Sequence, residues 1–252
     1  LFDFSPDING TAVWLDKRNI EFRPANRLPS DQEYKAEFYL SKIISDIPND
    51  FKTFEFGFKT MRQFFEVSID GTHTTDKKTL GWQRLLGTLS TADAADNDIV
   101  AKLLSATQNQ KTLNISWEHD ANNTTHHFSI DSIERTEVPT KVLLKWDGKE
   151  LGIENNKGEK EIDIPSIGDF KVLDLKVIQT PEQYVSVQFS DPVQEKQNLD
   201  GLITISDVKD IKFITENNEV RVYPQHRLNG AKTINVELGI KNILGYPLQS
   251  SF

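Results

Sequence analysis

Apolar residues recur at every second position along most of this chain. Phe54, Phe56 and Phe58 alternate with polar or small residues, as do Phe65, Val67 and Ile69, and Leu113, Ile115 and Trp117. The same beat returns in Val185, Val187 and Phe189, in Val220 and Val222, and in Ile234, Val236 and Leu238. A period of two puts successive side chains on opposite faces, so each set marks a strand with one apolar face. Asp70-Gly71, Asp147-Gly148, Lys157-Gly158, Asn217-Asn218, Asn229-Gly230 and Leu244-Gly245 supply turn residues between the runs. Short strands at this spacing predict an all-β chain of tandem immunoglobulin-like or fibronectin-like β-sandwich modules. One stretch departs from the pattern. Between Asp93 and Ser105, the residues Ile99, Val100, Leu103 and Leu104 share a helical face after a potential Asp cap. This predicts one short helix in the middle module.

A repeat organises the chain. Ile20-Glu21-Phe22-Arg23-Pro24-Ala25-Asn26-Arg27-Leu28 and Val220-Arg221-Val222-Tyr223-Pro224-Gln225-His226-Arg227-Leu228 share one pattern, apolar-x-apolar-x-Pro-x-x-Arg-Leu. The register continues without a gap, so that Tyr34, Ala36 and Phe38 match Ile234, Val236 and Leu238. Upstream, Asn9-Gly10 is matched with Asp200-Gly201. Physically, a strand ends at Pro, which cannot donate to a ladder. An Arg-Leu crossover follows, its Leu plugging the sandwich end, and the next strand returns. Two strands, Phe170–Ile178 and Gln183–Phe189, precede the second copy, and almost nothing precedes the first. The first module is therefore expected to lack its opening strands, with one exposed sheet edge. The expected modules are a partial one over residues 1–45, a middle one over 46–166 and a third over 167–252. Short joints at Ile47-Pro48-Asn49-Asp50 and Ile164-Pro165-Ser166-Ile167-Gly168 predict stiff tandem packing.

Composition narrows the function classes. The 252 residues are too many for one ordinary sandwich and suit two or three. The net charge is −9, and no dense Lys/Arg cluster offers a phosphate footprint, which argues against nucleic acid. No apolar run is long enough for a membrane span, so direct membrane insertion is not expected. Cysteine is absent, which excludes disulfides, thiolate metal sites and a cysteine nucleophile in these residues. The opening Leu1-Phe2-Asp3-Phe4 does not read as a signal peptide. The chain is thus expected to be intracellular or a segment of something larger.

Chemistry-bearing patterns are sparse. His119, His126 and His127 fall on two adjacent strand readings, where a hairpin would set His119 opposite His126 or His127. No HExxH motif or fixed helical His spacing accompanies them, so packed or exposed strand histidines are the expectation. Asp93, Asp96 and Asp98 lack the Gly and terminal Glu of a calcium loop and suit a solvated helix start. Trp117 and Trp146 lie on the apolar phase of their strands, whereas Trp82 is free to form a sugar-binding platform. Asn122-Asn123-Thr124-Thr125 matches a glycosylation acceptor. No nucleophile elbow, phosphate loop or dinucleotide fingerprint is present. No catalytic, cofactor-binding or metal-binding residue is assigned, and an enzyme is not expected.

Several stretches carry a family resemblance. They are Phe4-Ser5-Pro6-Asp7-Ile8-Asn9-Gly10 with Trp14 and the Ile20 to Leu28 stretch, and Gly87-Thr88-Leu89-Ser90-Thr91-Ala92-Asp93. The third runs from Val187-Gln188-Phe189-Ser190-Asp191-Pro192 through Gln197-Asn198-Leu199-Asp200-Gly201 to the Pro224–Leu228 crossover. Together they resemble the N-terminal immunoglobulin-like region of bacterial (Bacteroides-type) alpha-2-macroglobulin family proteins. The resemblance implies a large exported, often lipid-anchored protein that traps proteases with a bait region and often a Cys-x-Glu-Gln thioester. Without Cys, these residues cannot hold that thioester, and no functional residue carries over. What the resemblance implies is a non-catalytic structural and interaction segment in the periplasm or cell envelope, anchored through residues outside it. Its partners would be downstream macroglobulin domains of the same chain and a protease or envelope protein. Two other readings stay open: carbohydrate-binding or adhesin-like modules of a surface protein, and accessory modules of a secreted hydrolase.

Overall fold

The computed structural model describes all residues from Leu1 to Phe252. They fall into two units, one holding Leu1–Phe64 with Thr91–Ala94 and the other holding Phe65–Ser90 and Ala95–Phe252. The chain is all-β and built of sandwich modules, as the period-two pattern predicts.

The first unit contains β1 (Phe2–Ser5), β2 (Gly10–Trp14), β3 (Ile20–Pro24), β4 (Glu33–Tyr39) and β5 (Thr53–Lys59). One sheet has the order β1-β4-β5, and β2 and β3 form a separate antiparallel hairpin. β5 pairs with β4 along its whole length, Thr53 to Lys59 opposite Tyr39 to Glu33. This pairing carries the unit past residue 45, the boundary read from sequence. Its buried core holds Phe4, Ile8, Tyr34 and Ala36, with Phe2, Phe22, Leu28 and Phe58 packed around them.

The second unit begins with a sandwich of β6 (Phe65–Thr74), β7 (Trp82–Thr91), α1 (Asn97–Val100), β8 (Leu104–Gln108), β9 (Lys111–Leu113), β10 (Ile115–His119), β11 (Thr125–Glu134), β12 (Thr140–Asp147) and β13 (Lys157–Ile164). Its sheets are ordered β10-β11-β7-β6 and β13-β12-β8-β9. Leu85, Leu89, Phe128, Ile130 and Ile133 from the first sheet meet Ala106, Val142, Leu144 and Ile164 from the second in one core. Burying each of the larger of these side chains contributes about 1.5–3 kcal/mol. Trp117 and Trp146 pack against this core, as their strand phase predicts.

Three local expectations need correction. The helix spans only four residues, Asn97–Val100, and its N-cap residue Asp96 makes no side-chain capping bond. Leu104 and Ser105 belong instead to β8, because a short apolar run suits strand and helix alike. Asp70-Gly71 is not a turn but lies inside β6. Lys157-Gly158 opens β13, and Gly158 leaves room for the Trp146 ring, which a Cβ there would meet at 2.5 Å.

The last module contains β14 (Val172–Ile178), β15 (Tyr184–Phe189), β16 (Ile203–Ile205), β17 (Ile211–Glu216), β18 (Glu219–Pro224) and β19 (Ile234–Val236). The sheet β14-β15-β18-β17 packs on the pair β16-β19 around Phe170, Val187, Phe189, Ile203, Val220, Val222 and Val236. Val236 also exchanges two backbone hydrogen bonds with Phe252, so the second layer has three segments.

The repeat is structural, with a shifted upstream register. β1 pairs with β4 as β16 pairs with β19, and β2 pairs with β3 as β17 pairs with β18. Phe4 stands opposite Ala36 where Ile203 stands opposite Val236. The counterpart of Ile203 is therefore Phe4, and the upstream match of Asn9-Gly10 with Asp200-Gly201 does not hold. Both crossovers behave alike. Arg27 donates to the Ala94 carbonyl and Arg227 to the Gln179 carbonyl, while Leu28 and Leu228 each pack against their own core.

Candidate functional site

The densest buried chemistry joins the two modules of the second unit. Arg135 follows β11 directly, and its side chain is fully buried, as is that of Asp191 just after β15. A guanidinium has five donors and no acceptor, so burial demands several oxygens. Nε donates to the Pro165 carbonyl at 3.0 Å and Nη2 to the Ser166 carbonyl at 2.7 Å. Nη1 donates to Asp191 Oδ1, and Asp191 Oδ2 accepts from Asn242 Nδ2 at 2.7 Å. The linker carbonyls, the end of β11 and the loop after β15 thus share one ion pair.

A second set of polar contacts seals the free edge of β6. Its Thr74 amide donates to Asn218 Oδ1 at 3.0 Å and Asn217 Oδ1 at 3.1 Å. The Thr74 carbonyl accepts from Asn217 Nδ2 at 3.2 Å, and the Thr72 carbonyl from Gln188 Nε2 at 2.8 Å. Gln83 Nε2 donates to the Ser190 carbonyl at 2.7 Å. Asn217, in the β17–β18 turn, adopts left-handed backbone with φ 53°, which short polar side chains tolerate. Gly71 lets the Gln188 amide come close, since a Cβ there would lie 2.6 Å from Gln188 Oε1. Bonds of this kind fix the angle between modules as well as their contact.

The histidines divide. β10 and β11 set His119 opposite His126 and Glu118 opposite His127. The Nδ1 atoms of His119 and His126 approach to 2.7 Å, so one ring donates while the other accepts. His126 is fully buried and its Nε2 has no partner. Burial, then the facing His119, holds its pKa below the ordinary 6.5. His127 points to the other, exposed face, where Nδ1 meets Thr88 Oγ1 at 3.1 Å. Asp120 accepts from the amides of Thr124 and Thr125, which lowers its pKa and ties the hairpin turn. No three His, Cys, Asp or Glu side chains gather into a group that could hold a metal ion.

Trp82 opens β7 and is 45% exposed, without a stacking ring partner. Sequence reasoning missed a cleft of about 370 Å³ in the last module. Leu175, Val185, Ile205 and Ile234 line it, and Arg227 and Lys232 are the only charged residues in its wall. Gln179 holds Arg227 in place, Oε1 accepting from Nη2 at 3.0 Å, and Lys232 faces Asp207 at 3.6 Å. The repeated Arg was the one sequence signal that pointed toward it. No helix is long and apolar enough to cross a membrane. No family model matches the chain, and no curated protein matches it.

Proposed function

We propose that this chain is a non-catalytic structural and interaction segment of a large exported macroglobulin-like protein, whose family role is protease trapping. Its modules are immunoglobulin-like in this reading. It works in the periplasm or cell envelope, joined to downstream macroglobulin domains and anchored through residues elsewhere. The observation that carries the structural role is the buried Arg135–Asp191 joint, which binds two sandwiches into one stiff body. A spacer needs a fixed inter-module angle, and a buried ion pair with all its oxygens engaged supplies one.

The test is the complete gene product. We expect an export signal and macroglobulin domains in the same reading frame, and a full-length protein that shields a trapped protease from a protein-sized substrate. Absence of both domains and trapping would sink this reading. The exposed Trp82 favours a second reading, a carbohydrate-binding surface. Polysaccharide pull-down that is lost on Trp82→Ala would support it, and no binding at all would dispose of it.

A further inference from the structure

Where β6, β13 and β14 come together, a cleft of about 800 Å³ opens between the two modules of the second unit. β6 and β13 are edge strands of the two sheets of one sandwich, and β14 is the edge strand of the next. No backbone ladder therefore crosses this side. Val67 and Ile69 of β6 and Ile162 of β13 line the cleft and are half-buried against the sandwich core. Val172 and Leu173 line it from the other module. The β14–β15 register slips between Val172 and Asp174, so Leu173 is an extra residue and two consecutive apolar side chains reach one cleft. Bulges re-aim side chains in this way beside functional sites.

Six charged side chains share the wall, and five of them already have ion partners. Lys141 meets Glu161 at 2.5 Å and Asp163 at 4.0 Å, Lys171 meets Asp169 at 3.1 Å, and Lys176 meets Asp174 at 3.6 Å. The sixth, Lys160, has none. Glu159 and Glu161 turn outward to Lys145 and Lys141, so the strand period leaves Lys160 on the face of Ile162 and the buried Ile164. A charge turned inward on an edge strand also deters pairing with another chain. That role calls for neither a cleft nor a bulge beside it, and both are present.

We propose that this cleft binds a single-chain aliphatic carboxylate. The hydrocarbon tail lies along Val67, Ile69, Ile162, Val172 and Leu173, and the carboxylate pairs with Lys160. Apolar lining supplies the affinity and one placed charge fixes the orientation, the usual division of labour in a small-molecule site. The head group is an anion because the one unanswered charge in the wall is a cation. A cationic head would meet only carboxylates that lysines already hold. The site does not rest on the scaffold reading, so either can fail alone.

The probe is sodium decanoate below its micelle concentration, titrated into the whole chain and followed by backbone and methyl NMR shifts. Saturable shifts are expected at Val67, Ile69, Ile162, Val172 and Leu173, together with the Lys160 side chain. Acetate, which has the head without the tail, and decyltrimethylammonium, which has the tail with the opposite charge, should not produce them. Lys160→Gln removes an exposed charge, keeps the fold and should weaken decanoate binding about fivefold, and Lys160→Arg should restore it. No shift at these residues, shifts spread over exposed rings elsewhere, equal binding of the cation, or undiminished binding by Lys160→Gln would each overturn the proposal. A Lys160→Gln chain that self-associates yet binds decanoate as before would overturn it by assigning Lys160 to edge protection alone.

Discussion

The first unit and the last module carry the same four strands in the same pairing, yet one is closed and the other is not. In the last module twelve buried residues form the core, against four in the first unit. The strands they share are similarly apolar. The difference is the β14–β15 hairpin, which completes the sheet beside β18. A two-layer sandwich is stable only when each apolar face has an opposing layer. The comparison teaches that the repeat encodes half a sandwich, and that its surroundings decide whether that half becomes a core.

The largest expected effect sets one aromatic against another. Phe189→Ala should destabilise the second unit by about 3–5 kcal/mol, because it empties a fully buried site. Phe54→Ala, on the exposed apolar face of β5 in the open copy, should change stability by only about 0.5 kcal/mol. Urea unfolding followed separately for each unit measures both. Equal costs would mean that the first unit is closed in solution.

The joint should come next. Asp191→Ala leaves Arg135 buried without its counter-ion and should cost about 3 kcal/mol. Pairing Arg135→Met with Asp191→Leu should recover only part of that loss, since it removes the unpaired charge but leaves the Pro165 and Ser166 carbonyls and Asn242 Nδ2 without the partners they had. A cheap Asp191→Ala would show that the joint is wetter than the burial implies.

Exchange kinetics should separate the copies without mutation. Amides of β2 and β3 are expected to exchange through smaller openings than those of β17 and β18, which have a larger core beneath them. Similar protection in both hairpins would break the comparison.

The smallest effect is pH dependence. His126 is buried with a depressed pKa, so the unfolded chain binds its proton more readily than the folded one. The stability this neutral ring contributes is fully present above the ordinary value of 6.5 and is lost as pH falls through the lower folded value. His73, also depressed mainly by burial, acts in the same direction. Urea midpoints of the second unit should therefore drop on acidification below neutrality, and less steeply in His126→Gln. A flat wild-type profile would contradict the assignment.

Strand positions were legible because alternation survives whatever covers the face. The sets at Phe54–Phe58, Phe65–Ile69 and Val185–Phe189 all lie in strands. Alternation does not reveal whether that face meets a second layer. Phe54 and Val187 read alike in sequence, and one is exposed while the other is buried. The pairing of His119 with His126 was legible as one of two hairpin registers, but the direction of each ring was not. Arg135 and Asp191 were invisible as a pair. They are 56 residues apart, and no local pattern marks a contact formed only when two modules dock. Gly71 was misread for the same reason, since the side chain that approaches it belongs to another module.

The seal on β6 has a consequence for handling the protein in solution. That edge is closed by the amide side chains of Asn217, Asn218 and Gln188, and no neighbouring strand covers it. Any substitution that lets the modules part also uncovers a strand edge able to zip onto another molecule. Loosened variants should therefore precipitate in proportion to their concentration, and dilution will reveal soluble protein that a concentrated sample conceals.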